Sequence, residues 1–402
     1  MMSSMCAEPQ TLMEALVLQG DKFSNLTLYT MFPVSLCPYA NKEMKGHIRV
    51  KTFSVGKLTE AIRRGQAEYV PIHISQVGSF IKKRKIPVDI AMVQVSAPDM
   101  HGNCNLGISV DYIKEAIEAA KVVIAEVNEK MPRTKGDSCL PVEQIDYFID
   151  VSRDLLTYDT GRIGEVEDRI GELTSELIPD GAVLQYGPGK VQRAILRKLE
   201  NKKELGIHSG LVSDDIIPLV ERGVITGSKK EINYKKIVAA AVIGTRKIYD
   251  FVHENDLVEI KMSSYTHDIK TLSKLKKFVS LNSAIEVDLL GQVNSEAVGL
   301  NVINGVGGTM DFVRGAISSE EGRAILALPS TAKRHNKSRI VPIITGSVVT
   351  AGWADFNFIV TEYGVADLSG LTVRERVKKM ISIAHPQFRE ELRETAVKMS
   401  LL

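Results

Sequence analysis

Short apolar runs alternate with amphipathic stretches and polar turns along most of this chain. Leu26-Thr-Leu-Tyr-Thr-Met31 has the residue types of a strand. Val88-Asp-Ile-Ala-Met-Val-Gln-Val95 is a second, more apolar run, closed by the turn Asp99-Met-His-Gly-Asn103. Asp111 to Ala120 fits a helix, and Val122-Val-Ile-Ala-Glu-Val127 a further strand. Strands alternating with helices predict parallel-rich sheets in an α/β fold.

The second half repeats this order. A helix-like segment at 9–18 followed by a strand at 26–31 is matched by 190–199 followed by 205–212. The segment 91–127, with its polar turn, is matched by 285–328, with Leu290-Gly-Gln-Val-Asn294. Matched elements in the same order predict two related domains, 1–155 and 156–402. The divide falls in a region with Pro132, Arg133, Lys135 and Gly136, followed by an acidic helix-like stretch from Glu165 to Leu177. The second domain opens with a turn and strand, Leu177 to Tyr186, whereas only Met1 to Ala7 precede the first helix. The first domain is therefore expected to lack its opening strand.

Two glycine-rich turns punctuate the second domain, Gly187-Pro188-Gly189 and Asn304-Gly305-Val306-Gly307-Gly308. Glycine permits positive φ and lets a ligand approach the main chain. Bare N–H groups at a helix start favour anions or an oxygen that becomes negative. Two such turns in one domain point to one composite site for a long, phosphate-bearing molecule.

Composition narrows the classes. The chain has 402 residues, 44% hydrophobic and 25% charged, enough for two sizeable cores. A formal net charge of +2 argues against nucleic acid as a main partner. No apolar run reaches the roughly 20 residues that span a bilayer, and the first residues lack the pattern of a signal peptide. Cys6, Cys37, Cys104 and Cys139 are scattered, with no metal-ligand or disulfide spacing. The expectation is a cytoplasmic, metal-free protein without a membrane partner; assembly into a homo-oligomer stays open.

An ordered set of motifs gives the chain a family resemblance. These are Val95-Ser-Ala-Pro-Asp-Met-His-Gly102, Met131-Pro-Arg-Thr-Lys-Gly-Asp137, Ile178-Pro-Asp-Gly-Ala182 and Leu281-Asn-Ser-Ala-Ile-Glu-Val-Asp-Leu-Leu-Gly-Gln292. Gly305-Val-Gly-Gly-Thr-Met-Asp-Phe-Val-Arg-Gly-Ala316, Val360-Thr-Glu-Tyr-Gly-Val-Ala-Asp-Leu368 and Ile383-Ala-His-Pro-Gln-Phe-Arg389 follow. With these the chain resembles the acetyl-CoA hydrolase/transferase family, which includes 4-hydroxybutyrate and butyryl-CoA:acetate CoA-transferases. The resemblance implies two CoA-transferase-like domains with the active site in the cleft between them. It implies coenzyme A and acyl-CoA as substrates, with a carboxylate partner such as acetate, butyrate or 4-hydroxybutyrate. It also implies a ping-pong route in which a glutamate takes the acyl group as a mixed anhydride and then CoA as a thioester.

That glutamate is missing. The family's His-Thr-Glu segment is here His208-Ser209-Gly210, so the nucleophile position is Gly210. Three readings follow: a divergent CoA-transferase or acyl-CoA hydrolase using another acid or water, an inactive acyl-CoA-binding homologue, or an engineered or inactivated version. Glu286 is the candidate substitute; Asp288 would share its face at the strand period of two, and a paired carboxylate can serve as a base for water. The alternative for Glu286 is a structural role. Gly187, Gly189, Asn282, Gly305, Gly307 and Gly308 are the expected CoA-binding positions. The basic stretch from Lys333 to Lys337 is a candidate phosphate clamp or a mobile loop, and Asp311 is expected to brace the second glycine loop.

Overall fold

The computed structural model describes residues 1–332 and 337–402. Its first half builds a twisted parallel sheet from β1 (Leu26–Thr30), β2 (Ile48–Thr52), β3 (Ala67–Tyr69), β4 (Ile90–Val95), β5 (Val122–Asn128) and β6 (Tyr147–Val151). Two three-stranded groups, β1-β2-β3 and β4-β5-β6, lie side by side. Their join is Met1–Ser3: Met2 donates to Tyr29 O on β1, while Ser3 N–H bonds Met92 O and Met92 N–H bonds Met1 O on β4. The place of the opening strand, which the sequence leaves empty, is thus taken by Met1–Ser3. Three residues are too few to show a strand period, which is why the pattern missed them.

The second half repeats the plan with β7 (Val183–Tyr186), β8 (Gly206–Ile207), β9 (Ile237–Ala239), β10 (Val258–Ile260), β11 (Phe278–Asn282), β12 (Arg323–Ala327), β13 (Phe358–Thr361) and β14 (Gly364–Asp367). The order β8-β7-β11-β12-β13-β14 is parallel except for β14. A bridge from His208 to Val238 carries the sheet on to β9 and β10. Lys135–Gly136 of the first half pairs with the outer edge of β10 and so stitches the halves together.

Helix α1 (Gln10–Leu18) precedes β1 just as α2 (Lys190–Arg197) precedes β8. On α2, Val191, Ala194, Ile195 and Leu196 are buried, and Arg197 is exposed, the stripe expected of a helix laid on a sheet. All four residues of β7 are buried, as expected where helices cover both faces. The strand expected at 205–212 is broken: β8 ends at Ile207, and Leu211–Val212 pairs instead with Ala241–Val242. His208, Ser209 and Gly210 form the step between the two pairings, which sets Gly210 at the edge of the cleft.

The run from Ser283 to Leu289 also behaves differently from its sequence reading. Only Glu286–Asp288 is strand, and it belongs to a separate small sheet with Val293–Asn294 and Ile340–Val341. The chain leaves the main sheet immediately after Asn282.

Candidate active site

A cavity of about 610 Å³ opens at the carboxyl ends of β1, β7 and β11, between the two halves. Crevices beyond the carboxyl ends of parallel strands are the usual ligand sites of open α/β sheets. Here Tyr186 runs into Gly187 and Gly189, Asn282 ends β11, and the loop before α3 (Thr309–Ser318) brings Gly305, Gly307 and Gly308. Gly210 completes the set. Every glycine and asparagine singled out in the sequence therefore meets at one cavity.

The loops differ in what demands glycine. A Cβ on Gly187 would meet nothing within 4 Å, so packing does not require glycine there. Gly307 has φ of +57°, and a Cβ on Gly305 would lie 3.0 Å from Phe53 O of the first half. That close approach is part of a wider clamp. Tyr69 Oη accepts from Val306 N–H at 2.8 Å and donates to Glu296 at 3.2 Å. Ile74 N–H bonds Gly307 O at 3.2 Å, and Ser75 donates to Asp311 through N–H and Oγ at 3.1 and 2.7 Å. Asp311 thus braces the loop by reaching across the cleft. The amide of Asn282 donates to Ser280 Oγ at 2.7 Å, fixing that residue at the strand end.

His267 is the group the sequence reading missed. It is 3% exposed, follows the short helix Ser263–Thr266, and lines the cavity. Its ring packs on Phe312 with centroids 4.5 Å apart, and Nδ1 lies 2.9 Å from Thr266 Oγ1. A Cβ on Gly210 would sit 3.0 Å from Nε2, and one on Gly308 2.7 Å from it. Burial pulls its pKa down to about 3, so the imidazole is neutral at ordinary pH. A lone histidine in Thr266-His267-Asp268 carries no spacing signal; only the fold brings it over Gly210.

Glu286 is not brought to the cavity. Its Oε1 accepts from Asn294 at 2.8 Å within the small sheet. Asp288 is fully buried and accepts from the N–H groups of Leu290 and Gln292 and from the Gln292 amide at 3.0, 2.9 and 2.7 Å, so it ties a turn rather than pairing with Glu286. The substitution of Glu286 for the absent nucleophile is corrected on this ground: the carboxylates sit on a strand outside the main sheet. Among the described residues, the carboxylate that lines the cavity is Asp111, with φ of +20° and 1% exposure. Lys333 to Asn336 of the candidate phosphate clamp lie outside the described residues. Among the described residues no group of three or more His, Cys, Asp or Glu is arranged to hold a metal ion, and no helix is long and apolar enough to cross a membrane.

A two-domain α/β fold with glycine loops meeting at an interdomain cleft is the architecture of a CoA-transferase. Residues 1–154 match the acetyl-CoA hydrolase/transferase N-terminal domain and residues 244–396 the C-terminal domain, and the chain belongs to this family. It is 46% identical over 387 residues to the 4-hydroxybutyrate coenzyme A transferase of Clostridium kluyveri, covering 96% of this chain and 90% of that one. It is 34% identical to the butyryl-CoA:acetate CoA-transferase of Anaerostipes caccae, covering 85% and 78%. The solved 4-hydroxybutyrate CoA-transferase of Porphyromonas gingivalis superposes with a TM-score of 0.86 at 34% identity, covering 99% of this chain and 92% of that one. RipA from Yersinia pestis superposes at 0.94 and 30%, covering 100% and 94%.

Proposed function

We propose that this protein is an acyl-CoA:carboxylate CoA-transferase or acyl-CoA hydrolase acting on short-chain acids such as acetate, butyrate or 4-hydroxybutyrate. The observation that carries the reading is the meeting of both glycine loops, Gly210 and His267 at one cleft. The main chain at Gly187, Gly189 and Gly305 to Gly308, with Asn282, is the surface for CoA. Met5, Met31, Phe32 and Val34 give the same cavity an apolar wall suited to an aliphatic acyl group. The names of the relatives support acids of this size. A second reading, binding of acyl-CoA without turnover, draws on Gly210, which offers no side chain to the thioester.

The test is incubation with acetyl-, butyryl- and succinyl-CoA, with and without free carboxylates, following CoA exchange and CoA release. Exchange or release supports the enzymatic reading. Tight binding with neither supports the binding-only reading for those thioesters.

A further inference from the structure

The functional reading leaves open what receives the acyl group, and the following inference rests on that reading. Asp111, the acid lining the cavity, has both oxygens engaged. Oδ1 accepts from the N–H groups of Tyr112 and Ile113 at 2.5 and 3.0 Å, and Oδ2 accepts from the hydroxyls of Ser109, at 2.9 Å, and Ser4. A carboxylate held by four donors is fixed in place and weakened as a nucleophile. Glu286 lies on the separate sheet, and Gly210 has no side chain. Among the described residues lining the cleft, no carboxylate is left to accept the acyl group.

His267 faces the position from which a family glutamate would project. The one described partner of the Thr266 hydroxyl is His267 Nδ1. Of the two imidazole tautomers, the one in which the Thr266 hydroxyl donates to Nδ1 carries its proton on Nε2, the atom that stands over Gly210 and Gly308. A buried, neutral imidazole with a low pKa is a poor base but a good fixed donor to an anion. Each round of CoA transfer brings such an anion, the acceptor acid itself.

We propose that CoA transfer in this chain runs inside a ternary complex, in which the free acceptor carboxylate attacks the acyl-CoA directly while His267 Nε2–H holds and orients it. In the first step one carboxylate oxygen bonds to the thioester carbonyl carbon, and the C–S bond breaks. This gives a mixed anhydride of the two acids and CoA thiolate. In the second step the thiolate attacks the acceptor's carbonyl carbon, and the C–O bond to that carbon breaks. The products are the acceptor's CoA thioester and the donor's free carboxylate. No proton or further reactant is needed, and no enzyme group is acylated. His267 takes over the orienting role that a tethered glutamate would have.

The test uses the full-length protein with butyryl-CoA and acetate labelled with 18O in both oxygens. The proposal expects one 18O from acetate in the released butyrate, intersecting initial-rate lines, and no protein adduct of CoA mass. His267→Leu is expected to lower kcat/KM for acetate by about 100-fold with the Kd for CoA unchanged. His267→Gln, which keeps a donor near the place of Nε2, is expected to stay within about tenfold of wild type, and melting curves of both variants exclude misfolding. Butyrate oxygen drawn from labelled water, or a CoA adduct on the protein, overturns the proposal, as does equal activity in wild type and His267→Leu. Absence of all turnover defeats the functional reading, and with it the transfer step. Calorimetry of acetate onto the CoA complex then decides whether His267 holds a carboxylate: binding lost in His267→Leu upholds that part, and binding equal in both overturns it.

Discussion

His267 lies over Gly210 so closely that a Cβ on the glycine would stand 3.0 Å from Nε2 and 3.2 Å from Cε1. The two residues are therefore matched. A side chain at 210 must push the imidazole, and the imidazole fills the space where that side chain would begin. Phe312, 3.4 Å from the same Cβ position and packed against the ring at a 45° tilt, limits how far His267 can yield.

Restoring the family nucleophile consequently needs two changes. Gly210→Glu alone is expected to destabilise the protein by about 1–3 kcal/mol through overpacking. Gly210→Glu combined with His267→Ala is expected to relieve the clash and to form a glutamyl-CoA thioester with acyl-CoA. Intact mass after urea-unfolding comparison of the single and double variants checks both; a single variant as stable as wild type contradicts the packing argument.

Glu286→Gln separates the cavity from the small sheet. The amide oxygen can still accept from Asn294, and the residue does not line the cleft. Turnover is expected to stay within a few-fold of wild type. A loss of about 1,000-fold in kcat, the scale of removing a catalytic group, would return Glu286 to the mechanism.

Tyr69 couples the first domain to the second glycine loop through Val306 N–H. Tyr69→Phe leaves that N–H without its partner, at a cost of about 1–3 kcal/mol if it stays dry. The expected kinetic signature is a higher KM for acyl-CoA with a smaller change in kcat. Steady-state rates at varied acyl-CoA check it.

His267 makes its own contribution to the pH dependence of stability, with a sign fixed by its burial. In the unfolded chain a histidine takes its proton near about 6.5, whereas burial delays this to about 3 in the fold. Between these values the unfolded state binds more protons, so this residue's contribution to stability is lost as pH falls through that window. His267→Gln is expected to gain on wild type as pH drops from 6.5 toward 4, with a limiting slope of about 1.4 kcal/mol per pH unit. Buried acids with raised pKa, Glu8 and Asp111 among them, act in the opposite direction but cancel in the comparison. Parallel stability curves for the two proteins would contradict the assignment.

The sequence by itself determined the architecture and which glycine turns come to line the cleft. Apolar runs such as Val88 to Val95 and Val183 to Tyr186 are local signals, because a buried parallel strand needs apolar residues wherever it falls. The glycines of the two turns were legible for a similar reason: a turn after a strand and a helix start are written in adjacent residues. The duplication was legible as repeated order, and the absence of a carboxylate at Gly210 as a single letter in a matched motif. What only the tertiary structure decided are relations between distant segments. Met1–Ser3 gains a place in the sheet from Tyr29 and Met92 on either side, not from its own three residues. Glu286 has a strand pattern, yet the pairing of its neighbours with Val293 and Ile340 carries it off the main sheet. His267 has no motif around it; it meets Gly210 and Gly308 because the chain between β10 and β11 folds back over the ends of β8 and α3. Periodicity reports which face of an element is buried, whereas the partner of a buried polar group is fixed by which elements pack together.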